Sequence, residues 1–337
     1  MTHDFNLDRQ IASAPNTLQT ILDAVEIPEL DPARPVLFTG IGTSLHAARI
    51  AADWVSLLTG GQVRARAVDA HDIGTWAPIR SDEQVVVISH RGTKIFPTAA
   101  LRRAAEAGAS TVAIVGETAP EQPAEHTLRA CANETAGTFT VSYLSSLTVL
   151  AALVAPLDRS PDRAFAEALG RIPQAVADTL KLGDPAKAAA QLVDSAVLLL
   201  IGFGIDLPTA QEAALKIKEG AWMWTEAMSP EFALHGTPAS YRPDMAAVLL
   251  EPTFDDGGRT ERLREVVSDL GLRTLDVGAE TEGPLAFTAP HPLLRPITAI
   301  VPLQRLTAEL ARLRGTNPDT MHGGRDPWER VMTGIRL

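Results

Sequence analysis

The chain of 337 residues is too long for one comfortable hydrophobic core and suits two domains of roughly 150 residues each. Hydrophobic residues make up 45% and charged residues 21%, a globular balance that excludes a long disordered segment; a net charge of −11 with no Lys/Arg-rich run sets nucleic acid aside as an expected partner. Cys131 is the only cysteine, which excludes an intrachain disulfide framework.

The amino terminus, Met1-Thr2-His3-Asp4, is polar and acidic, so no signal peptide is expected. The most apolar runs, 147–157 and 197–201, fall short of the ~20 residues of a membrane helix. A cytoplasmic protein with no membrane partner is the expectation. Residues 1–30 are read as a helical segment. The next domain, 31–157, repeats one pattern: a β-branched run, then Gly or Ser, then an Ala-rich helix. Residues 36–38 run into Gly40-Ile41-Gly42-Thr43-Ser44 and a helix over about 45–58. Residues 85–88 run into Ser89-His90-Arg91-Gly92-Thr93-Lys94 and a helix over about 97–107. Gly108 follows as a helix stop, and 111–115 is a third strand. Residues 158–190, rich in Pro and Asp with a helical stretch near 164–180, read as a linker. A second domain, 191–337, opens with the apolar run 196–201, the turn Gly202-Phe203-Gly204 and a helix with Pro208 in its first turn. Residues 246–250, 272–277 and 298–301 are its further expected strands. Both halves share the strand, Gly-x-Gly and helix order, which suggests a duplicated domain. The expected class is α/β: two tandem domains, each a parallel sheet flanked by helices in a flavodoxin-like or Rossmann-like three-layer sandwich.

Parallel α/β sheets bind ligands at the carboxyl ends of their strands, where the next helix presents free N–H groups and a positive dipole end. Gly40 and Gly42 let the backbone approach an anion, and Thr43 and Ser44 add hydroxyl donors; a tight turn capped by Ser or Thr fits the same spacing. Leu45 and Leu207 stand where a dinucleotide fingerprint needs its third Gly, and 91–94 lacks the P-loop order, so neither a nicotinamide cofactor nor ATP is expected. The turn at Ser89, His90, Arg91, Gly92, Thr93 and Lys94 brings hydroxyls, two cations and an imidazole to a second strand end. Glu212, Lys216 and Glu219 share one helix face, a spacing whose commoner meaning is a surface salt-bridge ladder. His235 lies in the turn-like Leu234-His235-Gly236-Thr237-Pro238. Metal-ligand spacings are absent, and no cofactor or metal is expected.

Together, Gly42-Thr43-Ser44-Leu45-His46-Ala47, the 89–94 turn, Pro208 to Glu219, Leu234-His235-Gly236, Val301-Pro302-Leu303-Gln304 and Arg314-Gly315-Thr316-Asn317-Pro318-Asp319 resemble the sugar isomerase (SIS) domain family. The likeness is to the double-SIS isomerase half of glucosamine-6-phosphate synthases and covers nearly the whole chain. It implies that 31–157 is a first, phosphosugar-binding SIS domain and 191–337 a second with a carboxyl-terminal tail. It also implies a sugar-phosphate substrate, Glu219 as catalytic base, His235 as the ring-opening residue, and a homodimer with shared active sites. Lys216, one turn before Glu219, would tune that carboxylate or contact substrate. Proton transfer between sugar carbons suits a carboxylate raised by partial burial from ~4.3, and ring opening suits an imidazole near ~6.5.

The chain departs from the family in places. No glutaminase nucleophile stands at Thr2, so glutamine-dependent amination is not expected. The usual Ser-Gln-Ser-Gly-Glu-Thr turn carries Arg91 and Lys94 here, either to hold an anion tighter or to narrow the pocket. Glu134 matches a family Glu, Gly137-Thr138-Phe139 replaces Val-Ala-Ser, and Arg330 stands near the family's substrate-contacting Lys. The leading expectation is isomerisation of an amino-sugar or ketosamine phosphate coupled to deamination or deglycation; the alternative is a non-catalytic phosphosugar sensor.

Overall fold

The computed structural model describes residues 4–279 and 283–335. Residues 1–3 of the expected amino-terminal segment, and 280–282 and 336–337 of the expected second domain and tail, lie outside the described residues. Helix α1 (Asn6–Ala24) is followed by β1 (Val36–Gly40), α2 (Thr43–Leu58), β2 (Ala65–Asp69), α3 (Ala70–Thr75), β3 (Gln84–Ile88), α4 (Ile95–Glu106), β4 (Ser110–Val115), β5 (His126–Arg129) and α5 (Val141–Val154). Three short helices, α6 (Ala164–Leu169), α7 (Ile172–Thr179) and α8 (Pro185–Leu192), occupy the stretch read as a linker. The alternation then resumes with β6 (Leu198–Ile201), α9 (Leu207–Ala221), β7 (Thr225–Met228), α10 (Pro230–Leu234), β8 (Ala246–Leu250), α11 (Arg259–Asp269), β9 (Arg273–Ala279), β10 (Leu285–Phe287), α12 (Arg295–Arg314) and α13 (Trp328–Gly334). Among the described residues no helix is long and apolar enough to cross a membrane.

By its internal contacts the chain divides into two compact units. The first holds 14–134, 141–173 and the described residues from 322 onward; the second holds the described residues up to 13, 135–140 and those of 174–321. In the first unit all strands are parallel, in the order β2-β1-β3-β4-β5. The central strands β1 and β3 are buried throughout, which explains their unbroken apolar sequences. Leu37, Val85, Val87, Ala113 and Val115 pack on one side against Ala100, Leu101 and Ala104 of α4. In the second unit the order is β10-β9-β8-β6-β7, again all parallel. Read from the β7 side, the two orders are the same, 2-1-3-4-5.

Residues 298–301, expected as a strand, lie inside α12 instead. Every residue from Arg295 to Gln304 is buried, so the stretch shows no helical alternation, and a short β-branched run cannot be told from a buried helix by pattern. Pro296 in the first turn starts this helix and Gly315 at φ 66 ends it. The single helical stretch expected near 164–180 is likewise two helices, α6 and α7, with Gly170 closing the first.

Both sheets join their first strand to the next helix by a contact that excludes a side chain. A Cβ on Gly40 would lie 2.5 Å from the Ser44 Cβ, and one on Gly202 would lie 2.4 Å from the Asp206 carbonyl oxygen. Gly42 and Gly204 follow, each at φ 55. Gly40→Ala and Gly202→Ala are each expected to lower unfolding free energy by about 1–3 kcal/mol, because backbone must shift to admit the methyl group. Urea denaturation of the two variants beside the parent chain checks this.

Candidate functional site

In a 2-1-3-4-5 sheet the chain leaves the first strand toward one edge and returns to the other side, so the loops after the first and third strands diverge and open a crevice. In the first unit those loops are Gly40–Ser44 and Ser89–Lys94, the two turns singled out from sequence. Glycine at φ 55 is the N-cap of α2, with no side-chain capping bond, so Thr43 and Ser44 sit in the first helical turn and do not act as the cap. The capped-turn alternative is thereby set aside. The Ser44 and Leu45 N–H groups donate to the Ile41 and Gly42 carbonyls at 3.1 and 2.9 Å.

On the neighbouring strand end, Ser89 is buried and its Oγ has no hydrogen-bond partner among the described residues. Buried hydroxyls are normally satisfied, so this one leaves room for a partner that the described residues do not supply. The Gly92 N–H closes the turn on the Ser89 carbonyl at 2.8 Å, and Gln122 Nε2 donates to the Gly92 carbonyl at 3.1 Å. Gly92 has φ 64, and a Cβ there would meet Gln122 Nε2 at 2.7 Å, so only glycine fits. Lys94 is the N-cap of α4, half-buried, while Arg91 and Thr93 are exposed. Burial, and then the Arg91 charge, pull the Lys94 ammonium below its usual range.

His90 is pressed against Gly116, where a Cβ would come within 2.8 Å of the imidazole Cε1. Burial, with the Arg91 guanidinium adding to it, lowers the His90 imidazole to about 4. It is therefore neutral at pH 7, and the turn carries two cations rather than three. Glu134 Oε1 accepts the Ser142 N–H at 2.6 Å at the start of α5. Arg330 lies on α13 with its residue exposed.

In the second unit, α9 buries the groups that sequence spacing alone left as a possible surface ladder. Lys216 is 2% exposed and Glu212 0%, so the ladder reading fails for these two. Lys216 Nζ lies 2.5 Å from Glu219 Oε2 and 3.6 Å from Glu212 Oε1, and Glu219 keeps 26% of its side chain exposed. A buried ammonium thus holds one wholly enclosed carboxylate and one that reaches the surface. Glu212 is the member of this cluster that sequence reasoning left without a role; its i, i+4 spacing from Lys216 was the available signal. His235 is exposed and ends α10, its N–H reaching the Glu231 and Phe232 carbonyls at 3.0 and 3.3 Å, with Gly236 next at φ 84. Among the described residues no cluster of His, Cys, Asp and Glu could hold a metal ion.

The fold is parallel α/β in both units, with one strand order in the two sheets, and residues 29–156 match the SIS domain. The chain therefore carries a SIS domain. It is 30% identical over 302 residues to the glutamine--fructose-6-phosphate aminotransferase [isomerizing] of Pyrococcus horikoshii, covering 84% of this chain and 50% of that protein. The chain spans about half the length of the curated relatives it matches. Among solved structures, the C-terminal domain of glucosamine-fructose-6-phosphate aminotransferase from Francisella tularensis superposes with TM-score 0.84 at 20% identity, covering 94% of this chain and 98% of that one. Glucosamine-6-phosphate deaminase from Thermotoga maritima does so with TM-score 0.75 at 21% identity, covering 94% and 97%. Both likenesses establish the fold.

The lowered His90 imidazole has a readable consequence for stability. Between pH 6.5 and about 4 the unfolded chain takes up a proton at this residue and the folded chain does not, so its contribution to stability falls as pH falls through that window. Relative to His90→Gln, the parent chain is expected to lose roughly 3 kcal/mol of stability on going from pH 6.5 to pH 4. Paired denaturation curves across that range measure the difference.

Proposed function

We propose that the chain is a phosphosugar isomerase acting on an amino-sugar or ketosamine phosphate, with isomerisation coupled to loss of the amine. The observation that carries the reading is the buried, unpartnered Ser89 Oγ at the divergence of β1 and β3. Beside it stand the open start of α2 and the cations of Arg91 and Lys94. Thr43, Ser44, Ser89 and the backbone around Gly42 and Gly92 donate to the phosphate oxygens, and Arg91 and Lys94 balance their charge. The isomerising relatives and the solved aminotransferase and deaminase structures support the substrate class.

Proton transfer falls to Glu219. As a carboxylate it takes the proton from the carbon next to the carbonyl or imine of the open-chain sugar, leaving an enediol or enaminol, and returns a proton to the adjacent carbon. The ammonium of Lys216, beside it, steadies negative charge as it moves between carboxylate and substrate. If the amine is lost, water adds to the resulting imine carbon and the amine leaves, so atoms and charge balance. His235 opens the ring by moving a proton between the ring oxygen and the anomeric hydroxyl, a transfer its imidazole can make as acid or base. Its exposure within a single chain fits a site completed by a second copy, and a homodimer with shared sites is part of the proposal. Arg330 on α13 takes the place of a substrate-contacting cation, without the deprotonated amine a Schiff base requires.

Glucosamine 6-phosphate and fructosamine 6-phosphates are the substrates to assay, with ammonia or amine release and ketose formation as readouts. Glu219→Gln is expected to lower kcat by roughly 10²–10⁴-fold while leaving phosphosugar affinity within a few-fold. Full activity in that variant rejects the role given to Glu219. Tight calorimetric binding with no turnover of any of these compounds by the parent chain identifies a sensor instead.

A further inference from the structure

The second sheet repeats the geometry of the first turn and reverses its charge. Val36 pairs with Gln84 at the start of the β1–β3 ladder, and Leu198 pairs with Ala246 at the start of β6–β8. Counting forward from those pairs, Gly40 corresponds to Gly202, Gly42 to Gly204, Ser44 to Asp206, Ser89 to Glu251 and Arg91 to Thr253. The two glycine pairs are also matched in conformation, by the excluded Cβ at the first and by φ 55 at the second, and the Ser89 and Arg91 correspondences rest on the register of the ladders. Where the first unit has two serine hydroxyls, the second has two carboxylates.

Asp206 is fully buried. Its Oδ2 accepts the Thr253 N–H at 2.9 Å and the Thr253 hydroxyl at 2.8 Å. The guanidinium of Arg295, itself buried, faces the other oxygen with Nε 3.7 Å from Oδ1, and is held there by an Nη2 bond to the Glu251 carbonyl at 2.5 Å. The Arg295 cation also lies over the Phe287 ring at 5.3 Å. A backbone N–H, a hydroxyl and a guanidinium converging on one anion at a helix start is the donor set of a phosphate site. Here the anion belongs to the chain.

We propose that Asp206 fills, with its own carboxylate, the anion position of the second sheet, so that each chain takes one phosphate, at the turns of the first sheet. The residue at the Ser44/Asp206 position then decides which repeat is open to a phosphate. A second anion is turned away from the Asp206 position twice over. The two Thr253 donors are already engaged on Oδ2 with the Arg295 charge facing Oδ1, and the carboxylate repels what would replace it. This rests on the phosphate reading of the first sheet, and its test separates the two claims.

Hydrogen exchange of the full chain, with inorganic phosphate and with a chloride control of equal ionic strength, reads both sheets at once. For the parent chain, phosphate is expected to slow exchange in 40–46 and 89–94, by roughly tenfold at ten times the Kd, and to leave 202–208 and 251–253 unchanged. Ser44→Asp is expected to remove the first-sheet effect. Asp206→Ser is expected to add one in 202–208 and 251–253 while keeping the first. No protection of the first sheet in the parent chain rejects the phosphate reading alone, since Asp206→Ser still reports on the second sheet. Phosphate protection of the second sheet in the parent chain, or none there in a folded Asp206→Ser, overturns the inference. Should Asp206→Ser fail to fold with Arg295 left unpaired, Asp206→Asn in the Ser44→Asp background is the second variant. Its melting temperature is expected to rise with phosphate beyond chloride, and no such rise overturns the inference.

Discussion

Each half of this protein is organised by a strand that runs into a helix with no room for a side chain at the junction. The Ser44 Cβ occupies the space of a Gly40 Cβ, and the Asp206 carbonyl that of a Gly202 Cβ. The contact brings the start of the helix directly over the end of the strand and forces the positive φ at Gly42 and Gly204 that follows. The positive end of α2 therefore stands at the divergence of β1 and β3, and that of α9 at the divergence of β6 and β8. What each half does depends on which side chains the same backbone carries there.

The same counting from the glycines shows how far the two helices have diverged along their buried faces. Ile50 and Trp54 of α2 stand in the positions that Glu212 and Lys216 hold in α9, and all four are buried. The apolar pair stabilises its unit without a desolvation cost, whereas a buried ammonium and carboxylate each give up hydration that their attraction repays only in good geometry. An ion pair in place of a well-packed Ile and Trp is poor evidence of selection for stability. It has a use if the ammonium is needed where it lies, 2.5 Å from the carboxylate of Glu219, which reaches the surface. One unit thus keeps an apolar helix and an open anion turn. The other keeps a charged helix and a turn filled by its own aspartate.

Legibility in the sequence followed burial. Strands β1, β3, β4, β6 and β8 were readable as largely apolar runs because helices or neighbouring strands cover them, whereas β9 was readable although Arg273 and Asp276 are exposed. The four strands that escaped notice, β2, β5, β7 and β10, are the edges of the two sheets. Three of them, including Ala65–Asp69 and His126–Arg129, carry polar or charged side chains because one side meets solvent; the fourth has only three residues. Residues 298–301 misled in the opposite direction, since a helix buried on every side shows no period to read. Ser89 was visible as a residue type, but its unsatisfied hydroxyl was not, because satisfaction depends on every neighbour in space.

The sequence by itself determined the local choices: parallel α/β class, glycine turns at two strand ends, a proline-started helix with Glu212, Lys216 and Glu219 on one face, and a turn-like segment at His235. These are written in spacing and in the backbone freedom of single residues, and so need no knowledge of distant contacts. Only the tertiary structure decided that Lys216 is enclosed, that His90 is neutral, that one Glu134 oxygen meets a helix start, and that Asp206 lies against Arg295 and Thr253. Each of these depends on burial or on how groups meet in space, which the order of residues along one strand and one helix does not contain.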